Sequence, residues 1–304
     1  MKRVVGISLG SSERNHVVTV NMLGVECRIE RIGTDGDMQK MIDIITELDG
    51  KVDAFGLGGM DLYVHAVDRR YEIRDARRIV KAARKTPIVD GSGLKYTLER
   101  RAIEYLAEHT ALFNDSPKVL LMCAMDRFGM AQALEAAGCQ MTYGDFPFIL
   151  NIPLPLRSLK TLAGFARVFA PIVVQLPFSM IYPTGEKQKV SKPRFARYFE
   201  AADIIAGDFH FIRRYMPAVL PGKTIITNTV TRADVDLMKE RQVKTLITTT
   251  PEMEGRSFGT NIMEALLVCL AGSKTELTAE QYDRLLVELQ IKPRIIELQE
   301  HTIQ

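Results

Sequence analysis

The chain is poor in the residues that build staples and metal sites. Its four cysteines, Cys27, Cys123, Cys139 and Cys269, are scattered and form no C-x-x-C pair. A disulfide scaffold is therefore excluded, and the cysteines read as reduced core thiols of a cytoplasmic protein. The five histidines (His16, His65, His109, His210, His301) lack ligand spacing, so no metal is expected. No long apolar run is present either. The longest, Val168–Phe178, is interrupted by Pro171, Gln175 and Pro177 and is too short to span a bilayer. Met1-Lys2-Arg3 runs directly into a strand, so no signal-peptide pattern is seen. Charge of one sign is also lacking: 40 basic residues face 37 acidic ones. Nothing global argues for nucleic acid or an anionic membrane surface as partner.

What is present is a globular composition over 304 residues, enough for one large domain or two ordinary ones. The most informative stretch is Lys118–Asp145. An apolar run, Val119–Ala124, has the length of a buried strand, and Met125–Phe128 forms a turn. Gly129–Ala137 reads as a small-residue helix stopped by Gly138, and Cys139–Tyr143 as a second strand ending on Gly144 and Asp145. Strand, turn, helix, strand and acid in that order form the front half of a mononucleotide-binding βαβ unit. There the helix N-terminus attracts phosphate and the terminal carboxylate takes ribose hydroxyls. Against G-x-G-x-x-G the turn offers Ala124, Asp126 and Gly129, so two of the glycines are missing.

Ahead of this unit, Val4–Leu9 is a strand opening into Gly10-Ser11-Ser12, and Val17–Met22 with Val25–Ile32 predicts a hairpin. Asp37 is a natural N-cap for the helix that follows. Asp35 has no such role and is the better functional candidate. Eight basic residues against two acidic ones lie between Arg69 and Lys85, read chiefly as a solvated helix face. Pro87–Val89 is a strand ending in Asp90-Gly91-Ser92-Gly93 before the helix Leu94–His109. Lys95 sits at the unfavourable end of that helix dipole, close in sequence to Asp90; such a pair could share a proton in acid/base work.

Asn114-Asp115-Ser116-Pro117 is polar and proline-bearing, which places a domain boundary there: residues 1–116 and 117–304. Beyond it Leu156–Phe169 is a helix and Ile172–Leu176 a strand. Asp203–Ala206, Thr224–Thr227 and Thr245–Thr248 are further strands, each followed by a helix, and a last helix, Ala279–Leu289, precedes a polar tail. Six strands from Val119 onward, alternating with helices, predict a doubly wound parallel sheet. The expected fold is α/β in two domains, an N-terminal mixed α/β domain and a C-terminal Rossmann-like doubly wound parallel sheet. In such a sheet the strand exits share one edge. Asp126, Asp145, Asp208, Asn228, Thr250 and the segment Glu254-Gly255-Arg256-Ser257 are therefore expected around one crevice, Arg256 as an anion clamp.

Three stretches, RIGTDGD (Arg31–Asp37), VDGSGLKYTLERR (Val89–Arg101) and TTPEMEGRSFGTN (Thr249–Asn261), make the chain resemble a bacterial family labelled quinate (or quinate/shikimate) 5-dehydrogenase. The resemblance runs nearly end to end. It implies NAD(P)-dependent oxidation of a ring hydroxyl on a cyclohexane carboxylate, with a substrate domain ahead of a Rossmann domain. On that reading Lys95 and Asp90 form the acid/base pair. Asp126, Arg127, Gly129, Asp145, Asp208, Asn228 and Thr250 line the cofactor, with Asp145 favouring NAD over NADP. Asp35, Glu254, Arg256 and Ser257 hold the substrate or its anion. Two alternatives stand beside it: a non-redox Rossmann-like sensor or partner-binding protein for a small anion or nucleotide, and a transferase using a nucleotide-linked donor. The partner expected is a small molecule, without nucleic acid or membrane, and the sequence leaves a homodimer open.

Overall fold

The structure is a computed structural model and describes residues 1–66, 69–176, 192–253 and 256–299. Its strands are β1 (Lys2–Ser8), β2 (His16–Met22), β3 (Val25–Gly33), β4 (Ala54–Gly58), β5 (Tyr63–Ala66), β6 (Arg69–Glu72), β7 (Ile88–Val89), β8 (Lys118–Leu121), β9 (Gln140–Tyr143), β10 (Ile204–Ala206), β11 (Thr224–Thr227), β12 (Thr245–Thr248), β13 (Glu252–Met253), β14 (Arg256–Ser257) and β15 (Arg294–Glu297). Contacts divide the chain into two compact units. The first takes Met1–Thr97, Arg167–Gln188 and Phe258–Ile291; the second takes Leu98–Ala166, Lys189–Ser257 and Lys292–Gln304. The first passage between them falls inside the helix Ser92–His109, not at the polar turn Asn114–Pro117 that marked the boundary in the sequence.

In the first unit the sheet runs β2-β3-β1-β4-β7, parallel except for the β2–β3 hairpin. One face is apolar through Val5, Ile7, Phe55 and Leu57, which pack with Met41, Ile45, Ile73 and Ile79. The helix Met38–Leu48 begins where Asp37 accepts the N–H of Lys40, as its sequence predicted. On the other face the helix Thr260–Leu270 comes so close that a Cβ on Gly56 would fall 2.6 Å from the Asn261 carbonyl oxygen. Gly6, paired with Gly56 in register, faces the Ile262 side chain, which would have to shift to admit a Cβ there. The basic stretch after Arg69 forms only a five-residue helix, Ala76–Val80. Arg70, Arg74 and Arg77 pair with Glu276, Asp75 and Glu72 on a solvated surface.

The second unit holds a six-stranded sheet, β15-β12-β11-β10-β8-β9, parallel from β12 to β9 with β15 antiparallel at the edge. Alternate residues of each strand serve opposite cores. Val119, Leu121, Ile204, Ala206, Ile226 and Ile247 meet Ile103, Leu106, Met130 and Leu134. Leu120, Ile205, Ile225 and Leu246 meet Phe199, Phe209, Ile212 and Met238. Both faces are thus covered by helices, which accounts for the continuous apolar runs of these strands.

The sixth strand is not the one expected. Ile172–Leu176 lies at the end of the helix Leu159–Val173 and the turn after it. Leu162, Ala166, Ala170 and Val174 are buried at a spacing of four, while Val168, Phe169 and Ile172 face solvent. That helical period overrides the β-branched composition and accommodates Pro171 within the helix. β15 takes the sixth place; its alternation of half-buried and exposed residues, RIIE, is that of a solvated edge strand and reads as a polar tail.

Candidate functional site

The turn after β8 is where a phosphate would sit, and it is already filled. Asp145, expected to reach ribose, is 2% exposed, and its carboxylate accepts the N–H groups of Ala124 at 3.1 Å and Met125 at 2.9 Å. Burial pushes its pKa up to about 6, and the two amides hold it back from rising further. A side-chain carboxylate thus occupies the donors that the nucleotide reading reserves for a ligand. Gly129 is buried in the helix Phe128–Ala136, and Asp126 is exposed on the turn.

Beside this turn the strand exits form a polar row. Leu121, Ala206, Ile226 and Ile247 are aligned in register, and two residues further on come Cys123, Asp208, Asn228 and Thr249. Arg127, 3% exposed, reaches this row. Its guanidinium is ion-paired with the buried Glu99 and, at 3.1 Å, with Asp208. Asp208 also accepts from Asn228 Nδ2 at 2.9 Å and caps the helix Phe209–Tyr215 through the His210 N–H. Thr250 Oγ1 donates to the Asn228 carbonyl at 2.9 Å and lies 3.2 Å from Thr229 Oγ1. Two buried oxygens here, Glu99 Oε2 and Thr249 Oγ1, have no hydrogen-bond partner among the described residues. The structure therefore brings Arg127, Asp208, Asn228 and Thr250 together as the sequence suggested, and sets Asp145 apart in its own turn.

The remaining candidates are placed elsewhere. Asp90 is buried in the first unit, accepting from the N–H groups of Leu62 and Ser92 and from Ser92 Oγ. These three donors make it the organiser of the turn into the helix Ser92–His109, in whose first turn Lys95 lies. Asp35, exposed in the left-handed region at φ 56°, accepts the Ser12 N–H and ties two loops of that unit together. Arg256 and Ser257 form β14, paired with β13 in a short hairpin, and Glu254 lies outside the described residues.

Two acids absent from the expected set turn out to be central. Glu99 lies three residues before Ala102 and four before the buried Ile103, so it occupies the apolar face of its helix. Glu264 stands alone in the apolar run Ile262–Cys269 and is fully buried. In both cases the legible signal was an acid at a position the helical period reserves for the core; the partner that justifies it was not legible.

Comparison with known proteins gives two family matches and several distant structural likenesses. Residues 3–90 match a model described as a domain of unknown function (DUF8753), and residues 93–298 match another so described, DUF8754. No curated protein matches. Among solved structures the chain is similar to a sugar ABC transport substrate-binding protein from Bordetella parapertussis, with 10% identity over 99% of this chain and 92% of that one and a TM-score of 0.40. It is similar to an ABC transporter solute-binding protein from Agrobacterium vitis bound with alpha-D-tagatopyranose, at 9% identity, 100% and 97% coverage and TM-score 0.38. A malic enzyme from Entamoeba histolytica follows at 11% identity, 93% and 60% coverage and TM-score 0.39. Likeness at this level says nothing of this chain's ligand. The quinate/shikimate 5-dehydrogenase resemblance is overturned: the models that match the chain are those of other families. The NAD(P)-dependent oxidoreductase reading falls with it. The small-anion or nucleotide sensor and the nucleotide-linked transferase do not fit either, since Asp145 fills the turn amides and two carboxylates engage Arg127. Matched over more than half of its length, the chain belongs to the family described as domain of unknown function DUF8754.

Proposed function

We propose that the second unit binds a small, uncharged, hydroxyl-rich molecule at the C-terminal edge of its sheet, beside Asp208, Asn228 and Thr250. The observation that carries this reading is the engagement of Arg127 by Glu99 and Asp208. Two carboxylates already offset the guanidinium's charge, so a ligand anion gains little attraction there. Carboxylate, amide and hydroxyl groups, by contrast, exchange hydrogen bonds with neutral hydroxyls without a counter-charge. The location agrees with the rule that open α/β sheets bind ligands outside the carboxyl ends of their strands, where the order changes direction. Here that point is between β8 and β10, because β9 lies on one side of β8 and the later strands on the other. The finer reading of the sheet as Rossmann-like is part of the same proposal. It concerns the frame alone, and neither NAD nor NADP is its ligand.

Calorimetric titration of the purified protein with a panel of monosaccharides and polyols, alongside NAD, NADP and inorganic phosphate, tests it. Binding by a member of the hydroxyl-rich panel is expected, weakened about tenfold by Asn228→Ala or Thr250→Val, the scale of one hydrogen bond. Binding confined to phosphate or a dinucleotide overturns the proposal.

A further inference from the structure

The first unit contains a buried carboxyl that no binding role explains. Glu264, on the helix Thr260–Leu270, is fully excluded from solvent. Its Oε2 accepts the Gly91 N–H at 2.6 Å, and its Oε1 accepts the Tyr282 hydroxyl at 2.5 Å. It thereby joins three separate pieces of chain: the exit of β7, its own helix, and the helix Ala279–Glu288. Other charged groups crowd it. Asp90 is immediately next to the Gly91 amide, and Glu276 comes against Gly93 from the same side as Glu264, so that a Cβ on Gly93 would clash with both carboxylates. Glu276 is itself paired with Arg70, which lies 4.4 Å over the Tyr63 ring. Tyr282 in turn accepts the Leu277 N–H at 3.3 Å.

We propose that Glu264 is a proton-operated latch on the turn Asp90–Gly93. Protonated, it holds the start of the helix Ser92–His109 against the helices Thr260–Leu270 and Ala279–Glu288; ionised, it lets that turn open. The physical basis is the imbalance of its surroundings. One amide and one hydroxyl favour the ionised form, while complete desolvation and two neighbouring acids oppose it. Burial, with Asp90 and Glu276, pushes the Glu264 pKa up to about 8. When the turn opens, the carboxyl meets water and regains its ordinary acidity, so opening releases a proton. The opening constant therefore rises about tenfold per pH unit from the ordinary carboxylate range to about 8 and levels there.

Hydrogen–deuterium exchange of the amides from Gly91 to Leu94, corrected for intrinsic pH dependence, reads this constant between pH 5 and 9. The wild type should show the rise and plateau; Glu264→Gln should be flat. Tyr282→Phe removes a donor to the ionised form and should move the plateau to higher pH. Glu276→Gln removes a like charge and should move it to lower pH. Shifts in opposite directions from two conservative variants do not arise from a merely structural role. A wild type as flat as Glu264→Gln overturns the latch, and so does a plateau that both variants leave in place or move the same way.

Discussion

Two buried carboxylates, Asp145 in the second unit and Glu264 in the first, each take backbone N–H groups at the exit of a parallel strand, yet burial raises them unequally. Asp145 receives two amides and rises to about 6; Glu264 receives one amide and a hydroxyl beside two further acids and reaches about 8. Desolvation is nearly complete for both, so donors and like charges set the difference. Two amides make Asp145 an internal substitute for a bound anion. Glu264, with fewer donors and more acid neighbours, is raised further.

The comparison breaks most visibly at Arg127. Replacing it by Met leaves the buried Glu99 without its cation, and a loss of about 3–5 kcal/mol is expected in urea unfolding. A loss below about 1 kcal/mol would mean that the pair is solvated and that the second unit is no more constrained than a surface. Next is the pH profile of Glu264→Gln. The wild-type acid is raised from an ordinary 4.5 to about 8, so the folded state holds a proton that the unfolded state has released within that window. Wild-type stability from this group falls as pH rises across it and levels above about 8. The variant should accordingly gain on the wild type by a few kcal/mol between pH 5 and 8, read as the difference in denaturant midpoints.

Asp145→Asn sharpens the other side. It keeps one acceptor for the turn and sets an NH2 against the second amide, costing about 1–3 kcal/mol. The wild-type pH dependence between an ordinary 3.8 and about 6, where stability falls as the carboxyl ionises, should vanish with it. The smallest effect belongs to a site outside the comparison. Thr231→Ala removes the capping box of the helix Arg232–Glu240 and should cost about 1 kcal/mol by thermal unfolding, a scale for an ordinary local interaction in the same unit.

Much of the fold was legible because local rules and tertiary packing agree there. The hairpin β2–β3, the strand–helix–strand around Phe128–Ala136, and β10, β11 and β12 appear nearly where their patterns placed them. The misreadings occur where a local signal was weak or composition was misleading: the β-branched end of the helix Leu159–Val173, and the half-exposed edge strand β15. The site divides in the same way. Asp208, Asn228 and Thr250 could be grouped because parallel strands deliver their ends to one edge. The use of Asp145 could not be foreseen. A carboxylate after a strand reads alike whether it faces a ligand or folds back onto its neighbour's amides.

The amino-acid order by itself determined the alternation of strands and helices and the edge at which polar residues gather. Each of these follows from periodicity, spacing or composition within a short window. Only the tertiary structure decided how segments far apart in the chain combine into two units and which acids are buried. It also decided that Arg127 answers Glu99 while Glu264 answers Gly91 and Tyr282. Burial and the pairing of charges depend on neighbours brought in by the fold, and those neighbours decide whether a carboxylate faces a ligand, replaces one, or keeps its proton.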